Sequence, residues 1–166
     1  MIVVSDATPL ITLMKAQQLN VLNKLFGDVI IPDAVYQELT SNELFSEEAV
    51  LIQTSPFIRV VHIENANAVS ILRRAAGLDL GESEAIVYAD EQQADLLLMD
   101  EFQGRRVATD MGLKIMGSIG VLVNAFREGI LTAQETEAAM ERIRKANRHI
   151  SERLIQDALD LLHDEP

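Results

Sequence analysis

Apolar residues in this chain follow two rhythms, short continuous runs and stripes at helical spacing, and the two alternate along its length. Ile2, Val3 and Val4 form a β-branched run that stops at Ser5-Asp6-Ala7-Thr8-Pro9, the pattern of a buried strand closed by a turn. Leu10, Leu13 and Met14 then recur with a period near 3.6, so residues 2 to 16 predict strand, turn and helix. Thr8 before Pro9 predicts where that helix starts, with Thr8 as N-cap and Pro9 in the first helical position. Leu19 to Phe26 predicts a second short helix ended by Gly27, and Val29 to Ile31 a buried strand closed by Pro32. A third helix is expected to open near Asp33.

The alternation continues. Residues 44 to 52 read as helix, Phe57 to Ile63 as a strand or extended edge, and Ala66 to Ala76 as helix, with Gly77 and Gly81 bracketing a turn. A helix over Glu82 to Gln93 leads to Leu96-Leu97-Leu98-Met99, a continuous apolar strand that ends on Asp100. Gly104 to Met111 predicts helix, Leu113 to Met116 a short strand and Gly117 to Glu128 another helix. Strands alternating with helices imply βαβ units: a three-layer α/β/α architecture with a mainly parallel central sheet covered on both faces. After Gly129 the rhythm changes to two charge-rich amphipathic stretches, Thr132 to Asn147 and Ile150 to His163, which predict a C-terminal helical hairpin. Thr132 with Glu135 matches a capping box, and Ser151 lies near the start of the last helix. The expected organisation is an α/β core over residues 1–130 and a helical extension over 131–166 packed on the same domain.

Composition narrows the chemistry. At 166 residues and 48% hydrophobic content the chain can bury one sizeable core and is short for a second domain. No run of eighteen apolar residues and no basic, apolar leader is present, which predicts a soluble cytoplasmic protein. Zero cysteines remove disulfides, thiolate metal sites and cysteine nucleophiles, leaving oxygen atoms as the expected ligands of any metal. A formal net charge of −12 argues against a protein that coats nucleic acid, because such affinity comes from clustered Lys and Arg. A carboxylate cluster that holds a divalent cation escapes the objection, since the cation itself attracts phosphate, and Arg73-Arg74 and Arg105-Arg106 offer local positive charge.

The candidate carboxylates fall where an open α/β sheet binds ligands, outside the carboxyl ends of strands at the point where strand order reverses. Asp6 follows the first strand and Asp100 the run 96–99; on neighbouring strands about 4.8 Å apart they can share one cation. Either acid alone is as readily a turn former or helix cap. Glu82 heads a small apolar stripe, Ala85, Ile86 and Ala89, whereas Glu84 shares its face with Tyr88 and Glu91 and reads as wetter. An acid at a helix N-terminus is itself worth roughly 0.3–1 kcal/mol, so position alone does not make Glu82 a ligand. Glu38 lies four residues after Ala34 and three after Val35, and by pattern is an ordinary helix glutamate. His62, His149 and His163 are scattered and pair with no nucleophile at motif spacing, and are read as surface or fold residues. Gly117-Ser118-Ile119-Gly120 lacks the Gly-Lys-Ser/Thr ending of a nucleotide-phosphate loop. A phosphate-accepting role for Asp6 would call for a second Asp two residues on, and Thr8 stands there.

Taken together, the stretches Val3 to Leu10, Val29 to Leu39, Gly81 to Ile86, Leu96 to Asp100, Gly104-Arg105-Arg106 and Gly117 to Leu122 resemble those of the PIN-domain nucleases. The likeness spans nearly the whole chain and is weakest in the C-terminal helices. It implies a PIN-like fold and matches the family's four acids, in order, to Asp6, Glu38, Glu82 and Asp100, with Thr8 at a frequent Ser or Thr position near the first. Glu82 and Asp100 are eighteen positions apart, the family's usual spacing. Two departures stand out: Glu82 where many members have Asp, and Leu98 where many have Thr or Ser before the fourth acid. By resemblance, the chain is expected to be a Mg²⁺- or Mn²⁺-dependent endoribonuclease, the toxin of a toxin-antitoxin pair, acting on RNA, forming a homodimer and held by a small antitoxin. Arg105 and Arg106 are the expected substrate contacts, with solvated salt bridging as the plainer alternative. The rival expectation is a catalytically weak PIN-like module that uses its C-terminal helices to bind a partner.

Overall fold

A computed structural model describes residues 1–41, 46–146 and 150–164. Residues 44 and 45 of the helix expected over 44 to 52, Asn147 at the end of the first C-terminal stretch, and His149 lie outside the described residues. Five strands form one sheet: β1 (Val3–Ser5), β2 (Val29–Pro32), β3 (Ile58–Val61), β4 (Leu96–Leu98) and β5 (Ile115–Met116), in the order β3-β2-β1-β4-β5. Every pairing is parallel, so the sheet is wholly rather than mainly parallel. Val3 pairs with Leu96, Val4 with Leu97 and Ser5 with Leu98, which makes β1 and β4 neighbours. Strand order reverses at this pair, since β2 and β3 extend the sheet on one side of β1 and β4 and β5 on the other.

The β-branched and leucine runs form strands because both sheet faces are covered. Successive residues point to opposite faces. Val3 joins a core with Leu10, Leu13, Ile31, Leu98 and Leu122, whereas Val4 joins Ile86, Leu97, Met99 and Ala108 on the other face. The helices are α1 (Ala7–Lys15), α2 (Val21–Phe26), α3 (Asp33–Thr40), α4 (Ser46–Thr54), α5 (Ala66–Ala76), α6 (Leu80–Glu91), α7 (Phe102–Asp110), α8 (Ser118–Arg127), α9 (Ala133–Lys145) and α10 (Glu152–Asp164). Met140 and Ile143 of α9 and Ile155 and Ala158 of α10 belong to the same apolar cluster as Val3 and Leu98. The capping box of Thr132 and Glu135 at the head of α9 forms as the spacing predicts.

Helix starts differ from the sequence expectation at α2, which opens at Val21 rather than Leu19, at α7, which opens at Phe102 rather than Gly104, and at two places that matter for the site. The helix after β1 begins at Ala7, with Asp6 rather than Thr8 in the N-cap position. The cause is the sheet: the Asp6 backbone N–H donates to Leu98 O at 3.0 Å, which keeps Asp6 extended and lets the helix begin one residue later. Pro9 then takes the third helical position without penalty, because the first N–H groups of a helix have no intrahelical acceptor. Likewise α6 begins at Leu80, not Glu82, so Gly81 is helical rather than part of the turn. Asp79 caps it: the Glu82 N–H donates to Asp79 Oδ1 at 2.8 Å, and the Asp79 N–H donates to Glu82 Oε2 at 3.0 Å.

Candidate active site

The acidic side chains gather where the sheet reverses. Asp6, at the end of β1, is only 3% exposed and heads α1 without a side-chain capping bond. Burial pushes its carboxyl well above the ordinary range; the Ala7 N–H opposes that, and repulsion from Asp79, Glu82 and Glu38 reinforces it. Glu38, on the last part of α3, is raised by partial desolvation and then by Asp79 and Glu82. Glu82 is buried in the first turn of α6, and its carboxyl is raised by desolvation, against the Asp79 N–H and with repulsion from Asp79 and Glu101. The three acids thus share one electrostatic neighbourhood.

Gly81 lies beside them. A Cβ at this position would lie 3.4 Å from Glu38 Oε2 and 3.6 Å from Asp6 Oδ1, so the bare backbone of α6 passes directly beside both carboxylates. Glu82 has a structural duty of its own in the capping box, which uses Oε2. Glu84 is half-buried, and its Oε2 accepts the Ala34 N–H at 3.0 Å, so it serves the N-terminus of α3 rather than facing open water.

Asp100 stands one strand over in a different setting. Its Oδ1 accepts the Ser118 N–H at 2.7 Å, and the Ser118 hydroxyl donates to Oδ2 at 2.9 Å, tying the carboxylate to the start of α8. A Cβ on Gly117 would lie 2.8 Å from Asp100 Oδ1 and 3.0 Å from Arg105 Nη1, so carboxylate and guanidinium converge over this glycine. Arg105 also donates to Met99 O at 2.9 Å, while Arg106 is exposed on α7. A cavity of about 590 Å³ opens here, lined by Asp100, Phe102, Arg105, Gly117 and Leu154 among others. Thr8 lies in the first turn of α1, half-buried, two residues from Asp6.

Two residues of this region escaped sequence reasoning. Asp79 is the recurring source of repulsion on Asp6, Glu38 and Glu82, and its signal was the Asp-x-x-Glu spacing of a capping box. Ser118, fully buried, was visible only as a serine after a glycine at a helix start. His62 and His163 keep to the surface: His62 pairs with Asp33 at 2.8 Å and His163 with Glu137 at 3.2 Å.

The donor set is all oxygen, which fits a hard divalent cation, and the mutually repelling carboxylates of Asp6, Glu38 and Glu82, with no cationic partner among the described residues, are what such an ion would relieve. As they stand, no three acids or histidines among the described residues already close around an ion position. Among the described residues no helix is long and apolar enough to cross a membrane. A family model described as DUF3368, a PIN domain, matches residues 2–164. No curated protein and no solved structure gives a match.

Proposed function

The chain belongs to the PIN-domain family, a family of generally metal-using nucleases, and on that footing we propose that it is a divalent-metal-dependent endoribonuclease. The observation that carries the reading is the meeting of Asp6, Glu38 and Glu82 at the strand-order reversal, each with its carboxyl raised by burial and by like charge. Asp6, Glu38, Glu82 and Asp100 would hold Mg²⁺ or Mn²⁺, directly or through water. The bound ion supplies activation of water and neutralisation of the charge developing on the phosphate and the leaving oxygen.

The chain's own residues do the rest. The Asp6 backbone, locked to Leu98 O, fixes the position of the central carboxylate, and the Asp79 cap fixes the rotamer of Glu82. Ser118 orients Asp100, and Thr8 supports the first turn beside Asp6. Arg105 and Arg106 on α7 supply positive charge toward the phosphate on the Asp100 side. We take residues 1–130 as the nuclease core and 131–166 as its helical extension, and the protein as a cytoplasmic toxin that dimerises and is restrained by a small antitoxin.

RNA cleavage during a Mg²⁺ and Mn²⁺ titration tests this, comparing the parent with Asp6→Asn and Glu82→Gln. Gln preserves the capping box, so that variant removes charge while leaving the start of α6 intact. Divalent-dependent cleavage lost in both variants is the expected result. Cleavage that survives both would take the reaction away from Asp6 and Glu82, and a parent that neither cleaves nor binds a divalent ion would return the protein to the role of a catalytically silent binding module.

A further inference from the structure

Near the acidic site a cavity of about 630 Å³ lies between the residues that follow β3, the length of α5 and the first turns of α6. Its size is within the range of roughly 300–1,000 Å³ that small organic ligands occupy. Ile63, Val69 and Leu78 are buried at its floor, and Arg73, Arg74 and His62 stand exposed at its wall. Neither arginine takes part in an ion pair among the described residues; Arg74 donates from Nε to Ser70 O within its own helix. In a chain of net charge −12 two adjacent guanidinium groups without an acidic partner among the described residues are a local surplus of positive charge. Their place in the last turn of α5 suits the helix dipole, but the dipole accounts neither for the cavity nor for its position.

That position links it to the acids. Leu80 lines the cavity, and its chain neighbours are Asp79, which caps Glu82, and Gly81, where an added Cβ would meet the Glu38 and Asp6 carboxylates. Glu84, one turn further along α6, lines the cavity as well. The cavity therefore begins one residue from the acidic cluster and ends at the arginine pair. An apolar floor with a cationic wall matches one nucleotide unit, whose base lies on hydrocarbon or against a guanidinium plane while its phosphate takes the charge.

We propose that this cavity is a subsite for single-stranded RNA, holding a nucleotide next to the scissile phosphate, with Arg73 and Arg74 binding its backbone. The inference rests on the nuclease reading and adds the direction of the strand: away from Asp6 over Leu80 to the end of α5. Unpaired substrate follows from it, because a base seated on the floor is not stacked in a duplex.

The test is equilibrium binding of a fluorescein-labelled short single-stranded RNA to the full chain in Ca²⁺, across a salt series, with single-stranded DNA and duplex RNA as parallel probes. Arg73→Gln/Arg74→Gln is expected to weaken single-stranded RNA binding roughly tenfold at low salt and to flatten the salt dependence by about 0.7 per guanidinium removed. Lys24→Gln on α2, an exposed cation outside the cavity, is expected to change neither. Circular dichroism of each variant guards against misfolding, for which these exposed positions give little reason. Unchanged affinity and salt slope in the double variant, with a parent that still cleaves, overturns the subsite and leaves the nuclease reading intact. A parent that binds RNA through the arginines yet never cleaves keeps the cavity as an RNA-binding site and sinks the nuclease reading and, with it, the place beside a scissile phosphate. Tighter binding of duplex RNA than of single strands also overturns the subsite.

Discussion

Asp6 and Asp100 follow neighbouring parallel strands, Asp6 directly after β1 and Asp100 two residues after β4, and their carboxylates live in opposite surroundings. Asp6 is buried, without a side-chain cap, and crowded by Glu38, Asp79 and Glu82. Asp100 is held by the N–H and hydroxyl of Ser118 at the positive end of α8, with the Arg105 guanidinium beside it. The flanking glycines show the same contrast: Gly81 gives room to two acids, and Gly117 to an acid and a cation. One end of the switch point is an anionic site with no counter-charge among the described residues, and the other is already compensated. A site that must recruit a cation gains from such asymmetry, because the uncompensated end supplies the attraction and the compensated end a fixed wall.

The sharpest way to break this comparison is Asp6→Asn. Partners that merely position metal ligands typically cost 10–100-fold on mutation, so loss of the central acid should lower cleavage by more than about a hundredfold. The same change should raise the melting temperature of the metal-free protein, because it removes a repelled, buried charge. A melting temperature that falls instead would mean Asp6 is structurally satisfied, and the asymmetry would be gone.

At the other end the sign reverses. Asp100→Ala takes the charged acceptor from Ser118 and should destabilise by about 1.5–3 kcal/mol, read by urea denaturation. Gly117→Ala should follow with about 1–2 kcal/mol, because the added methyl must displace a carboxylate that Ser118 holds in place.

Proton linkage gives a third handle. The folded-state pKa values of Asp6, Glu38 and Glu82 lie above their unfolded values, so the folded protein binds more protons than the unfolded chain in the interval between. Their contribution to stability is full below about pH 4, the unfolded carboxyl range, and is lost as pH rises through the raised values. Metal-free protein should therefore melt at lower temperature as pH climbs through that interval, and saturating Mn²⁺ should remove the decline. A metal-free profile that rises with pH would contradict the crowding.

Gly81→Ala should have the smallest effect. The methyl would make ordinary contacts with Glu38 and Asp6, and alanine favours helix over glycine by roughly 0.5–1 kcal/mol. Stability should hold or rise slightly while divalent affinity, read by calorimetry, drops a few-fold.

Much of this was legible along the chain. Two-sided burial makes the runs 2–4 and 96–99 apolar throughout, so the strands, the acids that end them and the α/β class could be read from local pattern. The apolar stripe of Ala85, Ile86 and Ala89 correctly marked Glu82 as the more buried of two nearby glutamates. The helix starts at Ala7 and Leu80 were missed for different reasons. The first depends on a hydrogen bond from Asp6 to a strand more than ninety residues away, whereas the second was written in the Asp79-x-x-Glu82 spacing. Ser118 meets Asp100 only because β4 and β5 are neighbours.

The sequence by itself determined which segments are strands and helices and which acids stand near their ends, because hydrophobic period is a local property; where α1 starts was not local, since the sheet holds Asp6 extended. The tertiary structure decided which acids share a field. Electrostatic repulsion and desolvation depend on distance and burial, and both are set by strand order: β1 between β2 and β4 brings Glu38 and Glu82 to Asp6 and leaves Asp100 to Ser118.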